Sequence, residues 1–185
     1  MAQSTHSSTL LNLDTLKDLA QARIALVYTE WNEAMIGEMK AGCERVATQT
    51  KATIVAQLMV PGCFELPFGC RMLWQNLKEK ENFPEAIIAI GAVIRGGTPH
   101  FDYVCKAATE GILQLNLTLP VPVIFGVLTL DPEEQAWERL GGIHGHKGEE
   151  AAITALKMIQ QARRLREEAG KDRKGIGFGR FERED

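Results

Sequence analysis

A histidine closes a short glycine-rich turn: residues 96–100 read Gly-Gly-Thr-Pro-His. An apolar run, Ala86–Ile94, leads into it, and a helical pattern over residues 101–117 leads out. The stretch therefore reads as a strand, a tight turn and a helix start. Gly96 and Gly97 allow φ > 0 or a close approach of backbone to a ligand. Thr98 suits an N-cap, and Pro99 suits the first helical position, where no N–H is missed. The first turn of a helix offers unpaired N–H groups and positive dipole, which suit a phosphate. His100 falls in that turn, so a proton-transfer group stands beside an anion site; a structural histidine is the plainer alternative. Cys105 lies five residues on, well round the helix, so the two do not form a nucleophile pair.

The elements that must hold this turn alternate along the chain. Arg23–Thr29, Thr53–Val60, Ala86–Ile94 and residues 123–128 are apolar runs without strict alternation, as in strands buried on both faces. Helical spacing appears over residues 35–50, over Leu66–Leu77 with Pro67 in its first turn, and over 101–117 and 149–164. Asp131 and Pro132 are placed to start a further helix running to about Leu140, and residues 141–148 read as a flexible glycine-rich loop. This order predicts an α/β fold, a three-layer α/β/α sandwich with a four-stranded parallel sheet, flavodoxin-like. Residues 1–22 read as an N-terminal arm, with a short strand at 9–13 and a helical turn at 16–21. Residues 23–165 form the domain, and residues 166–185 a charged, solvated tail.

In such sheets ligands sit beyond the carboxyl ends of the strands. The site should then be built from residues 30–32, 61–65, 95–100 and 129–131. After the first strand, Trp31 either stacks on a flat heterocycle or covers the sheet end. After the second, Pro61 and Gly62 make a turn, and Glu65 either caps the next helix or accepts hydrogen bonds from ligand hydroxyls. Arg139 falls near a helix C-terminus, where it is ordinarily a dipole partner. His144 and His146 lack a third metal ligand nearby, so a structural zinc site is not expected.

Composition narrows the class. The chain has 185 residues, of which 45% are apolar and 24% charged, enough for one globular domain with a sizeable core. A formal charge of −3 gives no reason to expect a nucleic acid or a membrane surface as partner. The four cysteines form no CxxC pair and read as buried residues of a reducing compartment. No secretory signal or membrane-spanning run is visible, so the cytoplasm is the expected location.

Taken in order, the motifs resemble lumazine synthase, the penultimate enzyme of riboflavin synthesis. They are Trp31-Asn32, residues 60–67 (Val-Pro-Gly-Cys-Phe-Glu-Leu-Pro), residues 91–104, residues 122–129, Glu134-Gln135-Ala136 with Glu138-Arg139, and Gly145-His146-Lys147-Gly148. The resemblance spans about residues 23–159. It implies condensation of 5-amino-6-(D-ribitylamino)uracil with 3,4-dihydroxy-2-butanone 4-phosphate to give 6,7-dimethyl-8-ribityllumazine, phosphate and water, without metal or organic cofactor. It implies a homo-oligomer with sites between adjacent subunits. It leaves open a pentamer or a sixty-subunit shell, and association with riboflavin synthase.

Carried onto this sequence, the resemblance gives Trp31, Cys63, Phe64, Glu65, Ala92, Val93, Ile94 and Phe125 to the pyrimidine. Trp31 would stack, Glu65 would hold ribityl hydroxyls, and residues 92–94 would meet the uracil edge through backbone groups. The family varies at Cys63, so only its backbone is implicated. Gly97, Thr98, Arg139 and Lys147 would hold the butanone phosphate, and His100 would transfer protons. Phe125 and Arg139 would come from the neighbouring subunit. Pro99 departs from the small or hydroxyl residue usual there and removes one backbone donor. A non-catalytic or flavin-binding relative has no use for His100, Arg139 and Glu65 together, and a generic sugar-phosphate enzyme none for Trp31 and Phe125.

Overall fold

The computed structural model describes residues 21–175 and, before them, Leu13, Leu16 and Leu19. Most of the expected arm and the end of the expected tail, with the short strand at 9–13, therefore lie outside the described residues. Four strands form a parallel sheet: β1 (Arg23–Thr29), β2 (Thr53–Val60), β3 (Ala86–Ile94) and β4 (Val123–Leu130), in the order β2-β1-β3-β4. The connecting helices are α1 (Glu33–Thr50) after β1, α2 (Leu66–Leu77) after β2, entered through a 3-10 turn at Cys63–Glu65, and α3 (His100–Thr118) after β3. After β4 come a short helix α4 (Glu134–Trp137), a hairpin of β5 (Leu140–Gly142) and β6 (Gly145–His146), and the long helix α5 (Lys147–Gly175).

Alternate residues of β1, β3 and β4 feed two cores, while the edge strand β2 feeds chiefly one, through Ala56, Leu58 and Val60, and the other only through Ile54. Ile24, Leu26, Ile88 and Ile90 pack against Met39 and Cys43 of α1 and Leu156 and Ile159 of α5. Ala25, Val27, Ile87 and Ala89 pack against Leu66 and Cys70 of α2 and Ala108 and Ile112 of α3. This is the three-layer α/β/α sandwich expected from the run of elements. Each fully buried Ile or Leu contributes about 1.5–3 kcal/mol. Helices α1 and α5 approach so closely that a Cβ on Gly148 would run into the Met39 backbone, and the Cys43 thiol donates to the Gly148 carbonyl at 3.2 Å.

The strand order sets the site. From β1 the chain crosses to β2 on one side, and from β3 it crosses to β4 on the other. The switch point therefore lies between the carboxyl ends of β1 and β3, where open α/β sheets bind ligands. At the opposite end of the sheet, Glu85 clamps β1 to α5. It accepts the Arg23 backbone N–H at 3.1 Å and two Arg163 donors at 2.9 and 2.7 Å. Burial alone would raise the Glu85 carboxyl, but the Arg163 and Arg23 contacts outweigh it and hold it below the ordinary range.

Three expectations are corrected. Residues 141–148 are not a flexible loop: they hold the turn of the hairpin and the start of α5, with Gly141 and Gly145 at φ 109° and 74°. The helix expected from Asp131 shrinks to the four residues of α4, and Asp131 does not cap it. Its carboxylate instead accepts from Arg95 at 2.8 Å. Helix α5 begins two residues before Glu149 and continues past Arg164 to Gly175.

Candidate active site

The loop after β1 is anchored at the switch point. Asn32 sits in the left-handed region, φ 63° and ψ 44°, a conformation Asn tolerates better than most residues. Its side-chain amide donates to the Ala92 carbonyl at 3.0 Å, tying the end of β1 to the end of β3. The Thr29 hydroxyl donates to the Trp31 carbonyl at 3.2 Å. These bonds fix the Trp31 backbone while its side chain remains 72% exposed. The indole therefore does not cover the sheet end within this chain.

The segment after β2 arrives at the same carbonyl. The Cys63 thiol donates to Ala92 at 3.6 Å. Burial pushes that thiol up to about 12, so it stays protonated at neutral pH and is no nucleophile. Phe64 is 62% exposed. One Glu65 carboxylate oxygen accepts the Gly62 N–H at 3.0 Å, closing the 3-10 turn. The Glu65 side chain makes no cap to α2 and is otherwise presented at the surface.

The end of β3 offers an open edge. Its ladder with β1 stops at Tyr28–Ile90, while the ladder with β4 continues to Ile94–Leu130. The Ile87 and Arg95 N–H groups bond to the β4 side, at Pro122 and Leu130. Strand alternation then turns the backbone groups of Ala92 and Ile94 towards the unpaired edge and those of Val93 towards β4. The Ala92 carbonyl on this edge is already taken by Asn32 and Cys63, which leaves Ile94 as the backbone beyond the β1 ladder.

The turn that follows departs in detail from expectation. Gly96 and Gly97 do not adopt positive φ, and nothing lies within 4 Å of a Cβ built on either, which leaves the backbone accessible. Helix α3 starts at His100 with Pro99 in the N-cap position, and no side chain, Thr98 included, caps it. His100 is exposed in the first turn, as the spacing predicted. The turn is braced by Arg95, which sequence reasoning passed over. Its guanidinium bonds Asp131 at 2.8 Å and Asp102 at 3.2 Å and lies 4.0 Å from the centre of the Phe101 ring. Three segments that leave β3 and β4 are so joined beside His100.

A second cluster sits on the outer side of β4. Phe125, Thr129, Arg139, Lys147 and Ala151 line a cavity of about 170 Å³. Arg139 Nη1 donates to the Gln135 carbonyl at 2.9 Å and lies 3.4 Å from a Glu138 carboxylate oxygen. The Lys147 ammonium donates to both oxygens of Glu150, at 2.8 and 2.7 Å. Glu150 escaped the sequence reading because its partner falls at helical i,i+3 spacing only once α5 starts at Lys147. Trp31, Phe64, Glu65 and His100 do not line this cavity. One chain thus carries an aromatic, a carboxylate and an imidazole at the switch point, and an aromatic with two cations beyond β4.

The two loop histidines have carboxylate neighbours. His146 is 7% exposed, with Nε2 3.0 Å from Glu38, and this bond together with Arg45 holds the Glu38 carboxyl below its ordinary range. His144 Nε2 lies 3.8 Å from Glu138. Among the described residues no three His, Cys, Asp or Glu side chains gather in a way that would hold a metal ion. No helix of the described residues is long and apolar enough to cross a membrane.

A parallel three-layer sandwich with an open edge and an imidazole at its switch point has the layout of a small-molecule enzyme of flavodoxin-like fold. Comparison with known proteins narrows the class. Residues 21–163 match the family described as 6,7-dimethyl-8-ribityllumazine synthase, and the chain belongs to that family. It is 39% identical over 163 residues to the 6,7-dimethyl-8-ribityllumazine synthase of Parabacteroides distasonis, covering 86% of this chain and 98% of the relative. It is 44% identical over 149 residues to that of Cytophaga hutchinsonii, 79% and 90% of the two chains. With that of Kocuria rhizophila it shares 40% over 155 residues, 83% and 94%.

Proposed function

We propose that the two clusters are the two halves of one active site, completed when the switch point of one subunit meets the β4 side of its neighbour. The chain is an enzyme of riboflavin biosynthesis, a transferase that forms 6,7-dimethyl-8-ribityllumazine from small-molecule substrates. The observation that carries the two-half reading is the division itself. His100 and Trp31 stand at one end of the sheet, and Arg139, Lys147 and Phe125 line a separate cavity.

The chemistry assigns the parts. Trp31 stacks on the pyrimidine of 5-amino-6-(D-ribitylamino)uracil, with Phe64 and the neighbour's Phe125 closing the ring pocket. The β3 edge at Ala92 and Ile94 meets the uracil with the backbone groups that Asn32 and Cys63 leave free, Val93 takes no part because its backbone faces β4, Cys63 contributes backbone, and Glu65 accepts from ribityl hydroxyls. Gly97, Thr98 and the start of α3 meet the phosphate of 3,4-dihydroxy-2-butanone 4-phosphate from one side; Arg139, assisted by Lys147, meets it from the other. The substrate amine attacks the ketone and water leaves to give an imine. Phosphate then departs by elimination, leaving a carbonyl at the neighbouring carbon; the ribitylamino nitrogen attacks it, and a second water leaves as the ring closes. Each step moves a proton, and His100 serves these transfers, typically worth about 10²–10⁴-fold. Holding both reactants together supplies much of the rest. Trp31, Phe64, Phe68, Tyr103, Leu117 and Ile143 are all more than half exposed in the single chain, which supports burial between copies in a pentamer or a larger shell. The domain proper is residues 23–165, and the cytoplasm is its proposed location.

Subunit mixing tests this reading. With the butanone phosphate held well below its KM, His100→Ala and Arg139→Ala should each reduce turnover strongly when assembled alone. Equal amounts co-assembled at random give intact His100 facing intact Arg139 at about a quarter of the interfaces, so roughly a quarter of normal activity should return. No recovery in verified mixed assemblies would place the whole site within one chain.

A further inference from the structure

Among the described residues only Thr29, His146 and Glu150 are buried polar residues, and each adjoins one half of the site. Thr29 bonds the Trp31 backbone and Glu150 holds Lys147. His146 has no part in the reading above, yet its ring is held from three sides. Nε2 lies 3.0 Å from the Glu38 carboxylate on α1. Nδ1 accepts the Glu149 backbone N–H at 3.3 Å, capping the first turn of α5. Gly42 of α1 lies against the ring so closely that an added Cβ would collide with it. A nitrogen that accepts from an N–H carries no proton, so the ring bears its hydrogen on Nε2 and donates it to Glu38.

The backbone carries this anchorage to the cations. His146 pairs with Leu140 across the hairpin, and the Lys147 N–H donates to the Arg139 carbonyl at 2.8 Å. Arg139 and Lys147 thus leave the two strands of a hairpin whose buried polar anchor to α1 is one imidazole. We propose that His146 is a positioning residue of the phosphate half-site: locked to Glu38, Gly42 and Glu149, it sets where Arg139 and Lys147 point. This rests on the assignment of those two cations to the phosphate.

The test uses the assembled full-length enzyme, with each substrate varied in turn and inorganic phosphate as a competing anion. His146→Ala should raise the KM for the butanone phosphate and the inhibition constant of phosphate by about tenfold, the scale on which supporting groups act. The KM for the pyrimidine and kcat should stay within about twofold. His146→Asn, whose side-chain oxygen can take the place of Nδ1, should recover to within about threefold of the parent. Gly42→Ala pushes the ring from the other side without touching either cation and should reproduce the selective defect, which keeps the test open if His146→Ala fails to assemble. An unselective rise in both KM values, or no change in phosphate affinity in either His146→Ala or Gly42→Ala, overturns the proposal. Arg139→Ala run in parallel separates the layers. If it is selective while His146→Ala is not, only the positioning role falls; if it is unselective itself, the phosphate assignment falls and this proposal with it.

Discussion

Removing the Arg139 guanidinium should weaken one substrate and spare the other. The Arg139 side chain is 25% exposed, and its bonds to Gln135 and Glu138 both use Nη1. Its remaining donors can meet a phosphate. Charge-assisted hydrogen bonds of this kind contribute about 1.5–3 kcal/mol, and partial exposure favours the lower half of that range. A loss of about 2 kcal/mol corresponds to roughly a 30-fold change. Lys147 replaces it only in part, because two of its ammonium's three donors are already taken by the oxygens of Glu150. Arg139→Ala should therefore raise the KM for the butanone phosphate roughly 30-fold and leave that for the pyrimidine within about twofold. Arg139→Lys, which keeps the charge and loses the fork, should fall between the two. Steady-state kinetics, with each substrate varied at saturation of the other, reads both constants. Only the bond to Gln135 and the exposed ion pair with Glu138 are lost from the fold, so the melting temperature should drop by no more than about 4 °C. Equal increases in the two KM values at an unchanged melting temperature would refute the assignment.

Two further substitutions probe other parts of the reasoning. Cys63→Ser should retain kcat/KM within about threefold, because the thiol is buried and protonated, pushed up to about 12, and serves only as a donor to Ala92; a hundredfold loss would give the thiol a chemical role. Glu85→Gln should destabilise the fold at pH 7 by about 1.5–3 kcal/mol, because it removes the charge that pairs with Arg163 and turns one of the two acceptor oxygens into a donor facing a donor. The folded carboxyl lies below its ordinary value of 4.5, so the stabilisation is full above that pH and fades as the pH falls through the folded value. In denaturant titrations the gap between parent and Glu85→Gln should close on acidification, and a gap constant from pH 7 to about 3 would contradict the clamp.

How far the sequence could be read depended on where the determining contacts lie. β1, β2, β3 and α2 match the expected bounds, because their limits are written locally. β3 is a continuous apolar run, β1 and β2 are apolar but for Arg23, Gln57 and threonines, and α2 has Pro67 at its start. β4 runs two residues beyond expectation, to Leu130, where Thr129 and Leu130 continue the register with Val93 and Ile94. That extension is a property of the pairing and has no signature in residues 129–130 themselves. His100 was legible for the same local reason as the strands: a glycine pair and a proline directly before a helical pattern leave little freedom in where the helix begins. The absent Thr98 cap shows the limit of such reasoning, since propensity favours a cap but does not supply its geometry.

Residues 138–150 were the least legible stretch, and they join α1 to the cavity that Arg139 and Lys147 line. Glycines at 141, 142, 145 and 148 signal a loop to any local reading. In the fold they have other causes. Gly141 and Gly145 supply positive φ in the hairpin, and Gly148 lets α5 meet Met39 of α1. The partner that makes order of this segment is about a hundred residues away: Glu38 and Gly42 receive His146, and Cys43 bonds the Gly148 carbonyl. The N-cap of the same helix α1 is Asn32, whose amide fixes the Ala92 carbonyl at the switch point. One helix therefore holds the Trp31 loop at its start and the Arg139–Lys147 hairpin a little further along. If the two halves serve different active sites in the assembled enzyme, each copy of α1 braces one half of two neighbouring sites. A substitution at Gly42 would then disturb the anion half of one site and leave the pyrimidine half of the other intact, an asymmetry that the separate KM values resolve.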